Sequence, residues 1–417
     1  MNVALGILIM ILGWNIMLWN LSSPGYPYFD EVRYISAARQ MVSGGTNENW
    51  AHPPLGKVLI HSGMLMIGDN PLGWRFMSSM FGALTLGIMY AWGFVLFKSR
   101  NCALATAALT FVNQVHFVQS RAALLDVYMF TFMAMAMMLF TWVWLRENFL
   151  SRRREISVYA AIGALVGLAM ACKWYAVILC AVFGILIIFD GTKPVRTKIL
   201  KLGAGIVALP LVIYLGVSMI SIGMAHPQYA PAMTSTEYTA KDILPLQIEM
   251  IRAQTAWKNP EHPYLSSWYT WPAMIYPIWY DMKSRVVDSK EEIAGIVFLG
   301  NPLLLWTGFL AAAFCLYWGI RRRSRESLLV AIFYFSLWLS WAVIPRHVGF
   351  AYYYYPAAMI LSLAVIQAAR ALKIPNWACV SYLLACLAVF CFYYPVLTNS
   401  FLPSEDFRQR LFLPTWK

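Results

Sequence analysis

The side chains most able to do chemistry in this chain begin with a carboxylate pair, Asp30-Glu31. The pair lies in the first polar segment after an apolar run at about residues 3–21. Charged groups at a membrane face are energetically costly and are usually paired or functional. A carboxylate can accept the proton of an attacking hydroxyl, so the pair is a candidate general base. Asp30 could instead be only a helix N-cap, which would leave Glu31 unexplained.

Four further charged residues are candidates, and the three cations among them could contact an anionic group. Arg121 and Asp126 flank a short polar turn, where they could form an ion pair with each other, or Arg121 could bind a phosphate. Lys173 and Arg346 each lie in a tight turn between apolar runs. Each is either a snorkelling cation at the membrane interface or a ligand for an anion.

Three histidines and a tryptophan are weaker candidates. His52 precedes two prolines and could donate to a carboxylate or bind a metal, and His347 follows Arg346. His262 and Trp268 lie in a segment rich in aromatic residues and prolines. Aromatic faces suit sugars and peptides, although an interfacial aromatic belt has the same composition. No acidic cluster resembles a divalent-metal site, so we predict that the protein needs no metal or other cofactor.

The composition predicts an all-α polytopic membrane protein. Of 417 residues, 60% are hydrophobic and 12% are charged, and the mean hydropathy is +0.59. Soluble domains are less apolar and carry about twice this charge. Eleven apolar runs approach or exceed the length of a transmembrane helix, near residues 3–21, 73–97, 101–118, 124–145, 157–172, 174–190, 199–221, 296–319, 328–345, 349–369 and 377–397. We expect residues 1–417 to form a single membrane-embedded domain.

The net charge of +13 reflects topology rather than nucleic-acid binding. Basic residues cluster in every second loop, which is the positive-inside pattern. This pattern predicts a cytoplasmic N-terminus and an external C-terminus. It also places segments 22–72 and 222–295, together with the turns carrying Arg121, Lys173 and Arg346, on the outer face of the cell membrane. Most of the candidate chemistry therefore falls on one side.

The first outer segment has helical periodicity. Apolar residues recur every three to four positions from Phe29 to Val42, which predicts an amphipathic helix ended by Gly44-Gly45. A second such helix is predicted from Pro54 to Ile67. Both would lie along the membrane surface, with Asp30 near a helix start.

Taken in order, these motifs resemble the protein O-mannosyltransferase family, whose enzymes have the GT-C membrane glycosyltransferase fold. The matching stretches are Phe29-Asp30-Glu31, His52-Pro-Pro-Leu-Gly-Lys57, Asp69-Asn70-Pro71 with Trp74-Arg75, Arg121 with Asp126, Lys173-Trp174 and His262-Pro263 with Ser267-Trp268. The resemblance implies inverting transfer of mannose from a polyprenyl-phosphate donor to a Ser or Thr hydroxyl of a protein. It implies that Asp30 is the general base and that Glu31 supports it or binds the acceptor backbone. It also implies that Arg121 neutralises the leaving lipid phosphate, with Lys173 and Arg346 as weaker candidates for this anion.

The chain departs from the eukaryotic members of that family. Segment 222–295 is too short for their β-trefoil module, so the chain resembles a short prokaryotic form. This difference leaves the acceptor open between a protein and a lipid or glycan, because a related branch transfers aminoarabinose to lipid A. A transporter or flippase for a polyprenyl-linked sugar is the alternative from another class. The expected partners are the lipid-linked donor, the acceptor and membrane lipids.

Overall fold

A computed structural model describes residues 2–43, 49–146, 151–190, 194–224, 240–256 and 261–416. Most of these residues are helical. The α-helices are α1 Val3–Leu18, α2 Glu31–Ser43, α3 Leu55–Ile67, α4 Pro71–Phe97, α5 Arg100–Phe111, α6 Gln114–Gln119, α7 Asp126–Arg146, α8 Arg152–Cys172, α9 Ile178–Phe189, α10 Val195–Leu200, α11 Leu209–Met224, α12 Ile243–Ala256, α13 Pro302–Arg322, α14 Arg325–Leu339, α15 Tyr355–Ala371, α16 Asn376–Leu397 and α17 Ser404–Gln409. A π-helical segment, Lys201–Ala208, joins α10 to α11.

Each of the eleven predicted apolar runs contains at least part of an α-helix. Within the described ranges, six helical segments are long and apolar enough to cross a membrane: Pro71–Phe97, Asp126–Arg146, Arg153–Cys172, Val195–Ile220, Pro302–Arg322 and Asn376–Leu397. The predicted helical, multi-pass membrane architecture is confirmed. The number of eleven crossings stays a prediction.

Capping residues determine where the long helix α4 begins. The Asn70 side chain accepts hydrogen bonds from the backbone N–H groups of Leu72 and Gly73 at 3.1 and 3.0 Å. Pro71 occupies the first turn, where its missing N–H has no cost. Trp74 donates from Nε1 to the Asp69 carboxylate at 2.5 Å. The motif Asp69-Asn70-Pro71 with Trp74 therefore has a structural explanation as a helix start.

A small antiparallel sheet is formed by two strands between α12 and α13 and a third strand between α16 and α17. Strands β1 Ile278–Val287, β2 Lys290–Phe298 and β3 Leu402–Pro403 pair in that order. Asp288 and Ser289, both with positive φ, form the two-residue hairpin turn between β1 and β2. The sequence analysis assigned this segment to the loop 222–295 and started a helix near residue 296. That start is wrong, because a buried apolar strand has the same composition as a short helical run.

Both helices predicted in the first outer segment are present, as α2 and α3. Gly44-Gly45, the predicted end of the first helix, lies outside the described residues. An ion pair between Arg39 and Asp69, 2.8 Å long, connects α2 to the turn before α4. The ion pair holds the second half of α2 beside that turn. The position of both helices at the membrane surface stays a prediction.

Candidate active site

Asp30 immediately precedes α2. Its backbone carbonyl accepts hydrogen bonds from the N–H groups of Arg33 and Tyr34, at 3.1 and 3.2 Å, and so begins the helix. Its half-buried carboxylate forms no hydrogen bond or ion pair with the residues that the structure describes, so the side chain is not the N-cap that the alternative interpretation required. Burial raises the pKa of Asp30, and the nearby cations Lys173, Arg33 and Arg346 oppose that rise.

Glu31 has the opposite environment, because it is fully buried and saturated with hydrogen bonds. Arg75 donates to both of its oxygens at 2.9 Å, in a bidentate ion pair. The backbone N–H groups of Ala123 and Tyr28 also donate to it, at 2.8 and 3.3 Å. This geometry fits the predicted supporting role. It does not support the alternative of binding an acceptor backbone or a place for Glu31 among the catalytic groups, because Glu31 is fully buried and its oxygens accept from fixed donors.

The same arginine anchors the segment that leads to Asp30. Arg75 donates to the carbonyl oxygens of Leu21, Pro24 and Tyr26 at 3.1, 2.8 and 3.0 Å. Its guanidinium also lies 4.7 Å from the centre of the Tyr28 ring. A planar guanidinium with five donors is suited to hold several acceptors at once. Arg75, which has no predicted role, therefore fixes the position of residues 21–31.

Arg121 directs all the side-chain hydrogen bonds that the structure describes for it to backbone carbonyls at the end of α1. It is 5% exposed, and Nη1 donates to the carbonyls of Met17 and Trp19 at 2.5 and 2.7 Å. Nη2 donates to Asn20 at 3.2 Å. Arg121 thus caps the C-terminus of α1, where orphan carbonyls and the helix dipole favour a cation. Its described contacts support neither phosphate binding nor an ion pair with Asp126.

The partner of Asp126 is Lys173. The Lys173 ammonium donates to both carboxylate oxygens of Asp126, at 2.8 and 3.0 Å, and both side chains are nearly buried. It also lies 5.0 Å from the ring centre of Tyr352 and 5.4 Å from that of Tyr353. This pair joins the start of α7 to the residue that follows α8, and Lys173 also lines a pocket.

That pocket opens to the surroundings, and its non-atom space, with the open solvent at its mouth included, is about 720 Å³. Its lining is mainly apolar and includes two cations: Ala51, His52, Pro53, Lys173, Trp174, Tyr175, Ile251, Gln254, Thr255, Trp341, Ile344, Pro345 and Arg346. The Arg346 guanidinium lies 4.9 Å from the Tyr353 ring centre. Lys173 and Arg346, far apart in the chain, therefore line one cavity, and both influence the pKa of Asp30. An apolar pocket with paired cations fits the phosphate end of a lipid.

His52 lies at the same pocket. Its ring meets Tyr34 edge-on at 5.9 Å. Burial lowers the pKa of His52 well below the usual range, and the cations Lys173 and Arg346 add to this effect. The buried Lys57 ammonium donates to the His52 carbonyl at 2.9 Å and so holds the loop in place. His52 is therefore placed as a neutral lining residue.

The other three sequence candidates do not line this pocket. His262 packs edge-on against Phe350 at 4.9 Å. The Trp268 carbonyl accepts a hydrogen bond from Trp338 Nε1 at 2.9 Å. His347 is exposed. His262 therefore packs against the 340–350 turns, whereas Trp268 packs against Trp338 near the end of α14 with ring centres 5.7 Å apart.

The sequence analysis missed aromatic residues that surround Asp30. Phe29 stacks on Tyr280 of β1 at 4.3 Å and meets Tyr352 edge-on at 5.8 Å. Tyr280, Tyr352 and Tyr34 are buried, and the charge of Asp30 contributes to raising the pKa of each. The run Tyr352–Tyr355 was a visible signal, although an aromatic belt explained it equally well. Nothing in the sequence singled out Tyr280.

A metal site is absent from the part of the chain that the structure describes. No group of three or more His, Cys, Asp or Glu side chains converges there. Independence from metals or other cofactors stays a prediction.

Two family models match this chain over nearly its whole length. Residues 7–225 match the model described as dolichyl-phosphate-mannose-protein mannosyltransferase. Residues 239–416 match the model of the C-terminal four transmembrane-region of protein O-mannosyltransferase.

Curated relatives carry one name. The polyprenol-phosphate-mannose–protein mannosyltransferase of Mycobacterium tuberculosis is 24% identical over 96% of this chain and 88% of its own length. The protein of the same name from Mycolicibacterium smegmatis is 25% identical over 95% of this chain and 90% of its own. Both likenesses extend across the two family models.

Solved structures share the fold. The S. cerevisiae protein O-mannosyltransferase Pmt1–Pmt2 complex, bound to its sugar donor, has a TM-score of 0.81 at 14% identity. The match covers 100% of this chain and 93% of that chain. ArnT from Cupriavidus metallidurans, bound to undecaprenyl phosphate, has a TM-score of 0.59 at 17% identity and covers 93% of this chain and 63% of that one. The predicted GT-C fold is therefore confirmed.

Proposed function

This chain belongs to the dolichyl-phosphate-mannose-protein mannosyltransferase family, and we propose that it transfers mannose from a polyprenyl-phosphate donor to a serine or threonine hydroxyl of a protein. The names of the mycobacterial relatives support the donor and the protein acceptor. The observation that carries the proposal is the Asp30 carboxylate, which has no hydrogen-bond or ion-pair partner among the described residues and lies within electrostatic reach of Lys173 and Arg346, two cations that line one pocket.

In the proposed reaction Asp30 is the general base. The acceptor hydroxyl attacks the anomeric carbon, the bond to the lipid phosphate breaks, and the hydroxyl proton passes to the Asp30 carboxylate. A carboxylate is a weak base toward an alcohol, but it can accept the proton as the new bond forms. Burial raises the pKa of Asp30, which makes it a stronger base than an exposed aspartate. Direct displacement gives a product with inverted anomeric configuration.

Lys173 and Arg346 take the role of phosphate ligands in this proposal. The departing lipid phosphate gains negative charge, and cations already held in place stabilise that charge without reorganisation. The ion pair with Asp126 fixes the Lys173 ammonium at the pocket wall. Arg121 has no such role in this proposal, because its guanidinium donates hydrogen bonds to the carbonyl oxygens at the end of α1.

We further propose that the catalytic site faces the outer side of the cell membrane. The positive-inside pattern of the loops supports a cytoplasmic N-terminus and an external C-terminus. Single cysteines introduced near Asp30 and near Arg323 test this arrangement in whole cells. A membrane-impermeant maleimide should label the first position and leave the second unlabelled, and the reverse result would contradict the orientation.

A transfer assay with purified protein tests the function. Wild-type protein is supplied with polyprenyl-phosphate-[³H]mannose and a Ser/Thr-rich peptide, and label on the peptide is measured. Asp30→Asn should bind donor yet lose transfer by about a hundredfold or more, as removal of a general base does. Asp406→Asn is the matched control, because Asp406 is an exposed aspartate on α17.

Three results would count against the proposal. Label found only in the lipid fraction would rule out a protein acceptor. Wild-type rates from Asp30→Asn would remove the general base. A product whose anomeric configuration equals that of the donor would contradict a direct displacement.

A further inference from the structure

The hydroxyl of Tyr280 is a buried polar group that the proposed mechanism does not use. Tyr280 lies in β1 and is 4% exposed. Its ring stacks on Phe29 at 4.3 Å and on Phe298 at 5.8 Å. Within the described residues its hydroxyl has no hydrogen-bond partner. A buried hydroxyl without a partner costs about 1–3 kcal/mol, so its presence requires an explanation.

A backbone irregularity sets the direction of the Tyr280 side chain, which contacts the residue before Asp30. The register of β1 and β2 shifts between Trp279 and Asp281, so Tyr280 is the extra residue of a β-bulge. Bulges re-aim a side chain out of the regular alternation and are common beside active sites. Phe29, the residue before Asp30, contacts the Tyr280 ring directly. The sheet thus contributes one aromatic side chain to the carboxylate site.

The charges around Tyr280 restrict what it can bind. After burial itself, the carboxylates of Asp126 and Asp30 are the strongest influences that raise its pKa. A phosphate beside two carboxylates would be repelled. The cations of the pocket, Lys173 and Arg346, are the better place for that anion. A neutral group rich in hydroxyls has no such penalty and can both donate to and accept from a phenol.

We propose that the Tyr280 hydroxyl hydrogen-bonds a hydroxyl group of the transferred sugar, next to Asp30. The inference rests on the proposed function, because it assigns the sugar of that donor to this side of the site. Asp30 takes the single hydroxyl of the acceptor, and Tyr280 holds the sugar whose anomeric carbon is attacked. Tyr280 is then a substrate-binding residue that orients the sugar.

Donor analogues together with Tyr280→Phe test this contact. The variant keeps the stacked ring and removes only the hydroxyl. With the normal donor, kcat/KM should fall about tenfold, which corresponds to about 1.4 kcal/mol. A second set of donors is used, each lacking one sugar hydroxyl. With one of these donors the wild-type kcat/KM should be lower by a similar factor. With that same donor, Tyr280→Phe should cause no further loss of kcat/KM. Tyr26→Phe is the matched control. The exposed Tyr26 hydroxyl donates a hydrogen bond to the carboxylate of Asp281, the residue after Tyr280 in β1, at 3.0 Å.

Stability and direct binding provide independent readouts. Tyr280→Phe should have an unchanged or higher Tm, because it removes an unpaired buried hydroxyl. Polyprenyl-phosphate-mannose should bind wild-type protein more tightly than polyprenyl phosphate alone, and Tyr280→Phe should reduce that difference. This binding assay needs no turnover, so a wild-type protein that binds donor but transfers nothing would refute the proposed function alone.

Four outcomes would overturn the contact itself. The first is an unchanged, wild-type kcat/KM in Tyr280→Phe, and the second is an equal loss of kcat/KM with every deoxy donor. The third is a change confined to the KM of the acceptor. The fourth is a lower Tm of Tyr280→Phe together with unchanged discrimination between the two lipids. The third would assign the hydroxyl to the acceptor, and the fourth would make it structural.

Discussion

Asp30 and Glu31 are neighbours in the chain but have opposite environments. Glu31 accepts two hydrogen bonds from Arg75 and one each from the backbone of Ala123 and Tyr28. The Asp30 carboxylate accepts none from the described residues, is half-buried, and lies within electrostatic reach of Lys173 and Arg346. A carboxylate saturated by fixed donors is a poor base, whereas one without partners can take a proton. The contrast divides the pair into one anchoring residue and one candidate base.

The raised pKa of Asp30 predicts a pH dependence. The base works only when ionised, so kcat/KM should fall as the pH is lowered through the pKa of Asp30. Because burial raises that pKa, the fall should begin at higher pH than it would for an exposed aspartate. Rate measurements from pH 4 to 8 with purified protein check this. A flat acidic limb would show that no such group controls the rate.

Asp30→Asn should make the protein more stable while it abolishes transfer. A carboxyl group whose pKa is higher in the folded state than in the unfolded state stabilises the fold at pH values below its unfolded-state pKa. That stabilisation is lost as the pH rises through the folded-state pKa. At pH 7 the ionised Asp30 therefore opposes folding, and asparagine removes this effect. The Tm of the variant should exceed that of wild type at pH 7, with the gap narrowing in acid. A lower Tm at pH 7 would contradict this.

Glu31→Gln should be strongly destabilising. Removing one partner of a buried ion pair leaves an uncompensated charge on Arg75, at a cost of about 3–5 kcal/mol. The double variant Glu31→Gln, Arg75→Met should be less destabilised than the sum of the single changes. Glu292→Gln is the control, because the exposed pair of Glu292 with Arg285 is worth about 1 kcal/mol or less. Denaturation of the detergent-purified proteins measures all four.

Arg121→Gln should reduce stability and leave catalysis nearly unchanged per folded molecule. The side chain satisfies three carbonyls at the end of α1, and glutamine cannot reach them all. We expect a lower Tm with a donor KM within about twofold of wild type, since the pocket contacts of Lys173 are intact. A large increase in donor KM at unchanged Tm would restore the phosphate role to Arg121.

Lys173→Met should weaken donor use. Loss of an oriented cation at the leaving phosphate should lower kcat/KM by about a hundredfold, as removal of a comparable electrostatic contact does. The change also leaves Asp126 unpaired, so the double variant Lys173→Met, Asp126→Asn separates the two effects. The double variant should recover stability but not activity. Lys373→Met, at an exposed lysine beyond α15, should behave as wild type.

Several features followed from the sequence because they depend on local order. Apolar runs and basic loops report membrane helices directly, and the three-to-four periodicity after Phe29 predicted α2. The motif order also pointed to the family and to Asp30. In each case the signal lies in consecutive residues, where helix geometry and membrane thickness set the spacing.

Partner choice was decided only by the tertiary structure. Arg75 is 44 positions from Glu31, and Lys173 is 47 positions from Asp126, so spacing in the chain could not pair them. Arg121 was assigned to a phosphate because a guanidinium suits either a phosphate or helix carbonyls equally well, and only packing against α1 decides between them. Tyr280 stacks on Phe29, the residue before Asp30, from a β-bulge, a backbone irregularity that has no local sequence signal. The sequence by itself therefore determined the membrane fold, the family and the candidate base, while the contacts between distant segments determined which charges anchor the fold and which face the pocket.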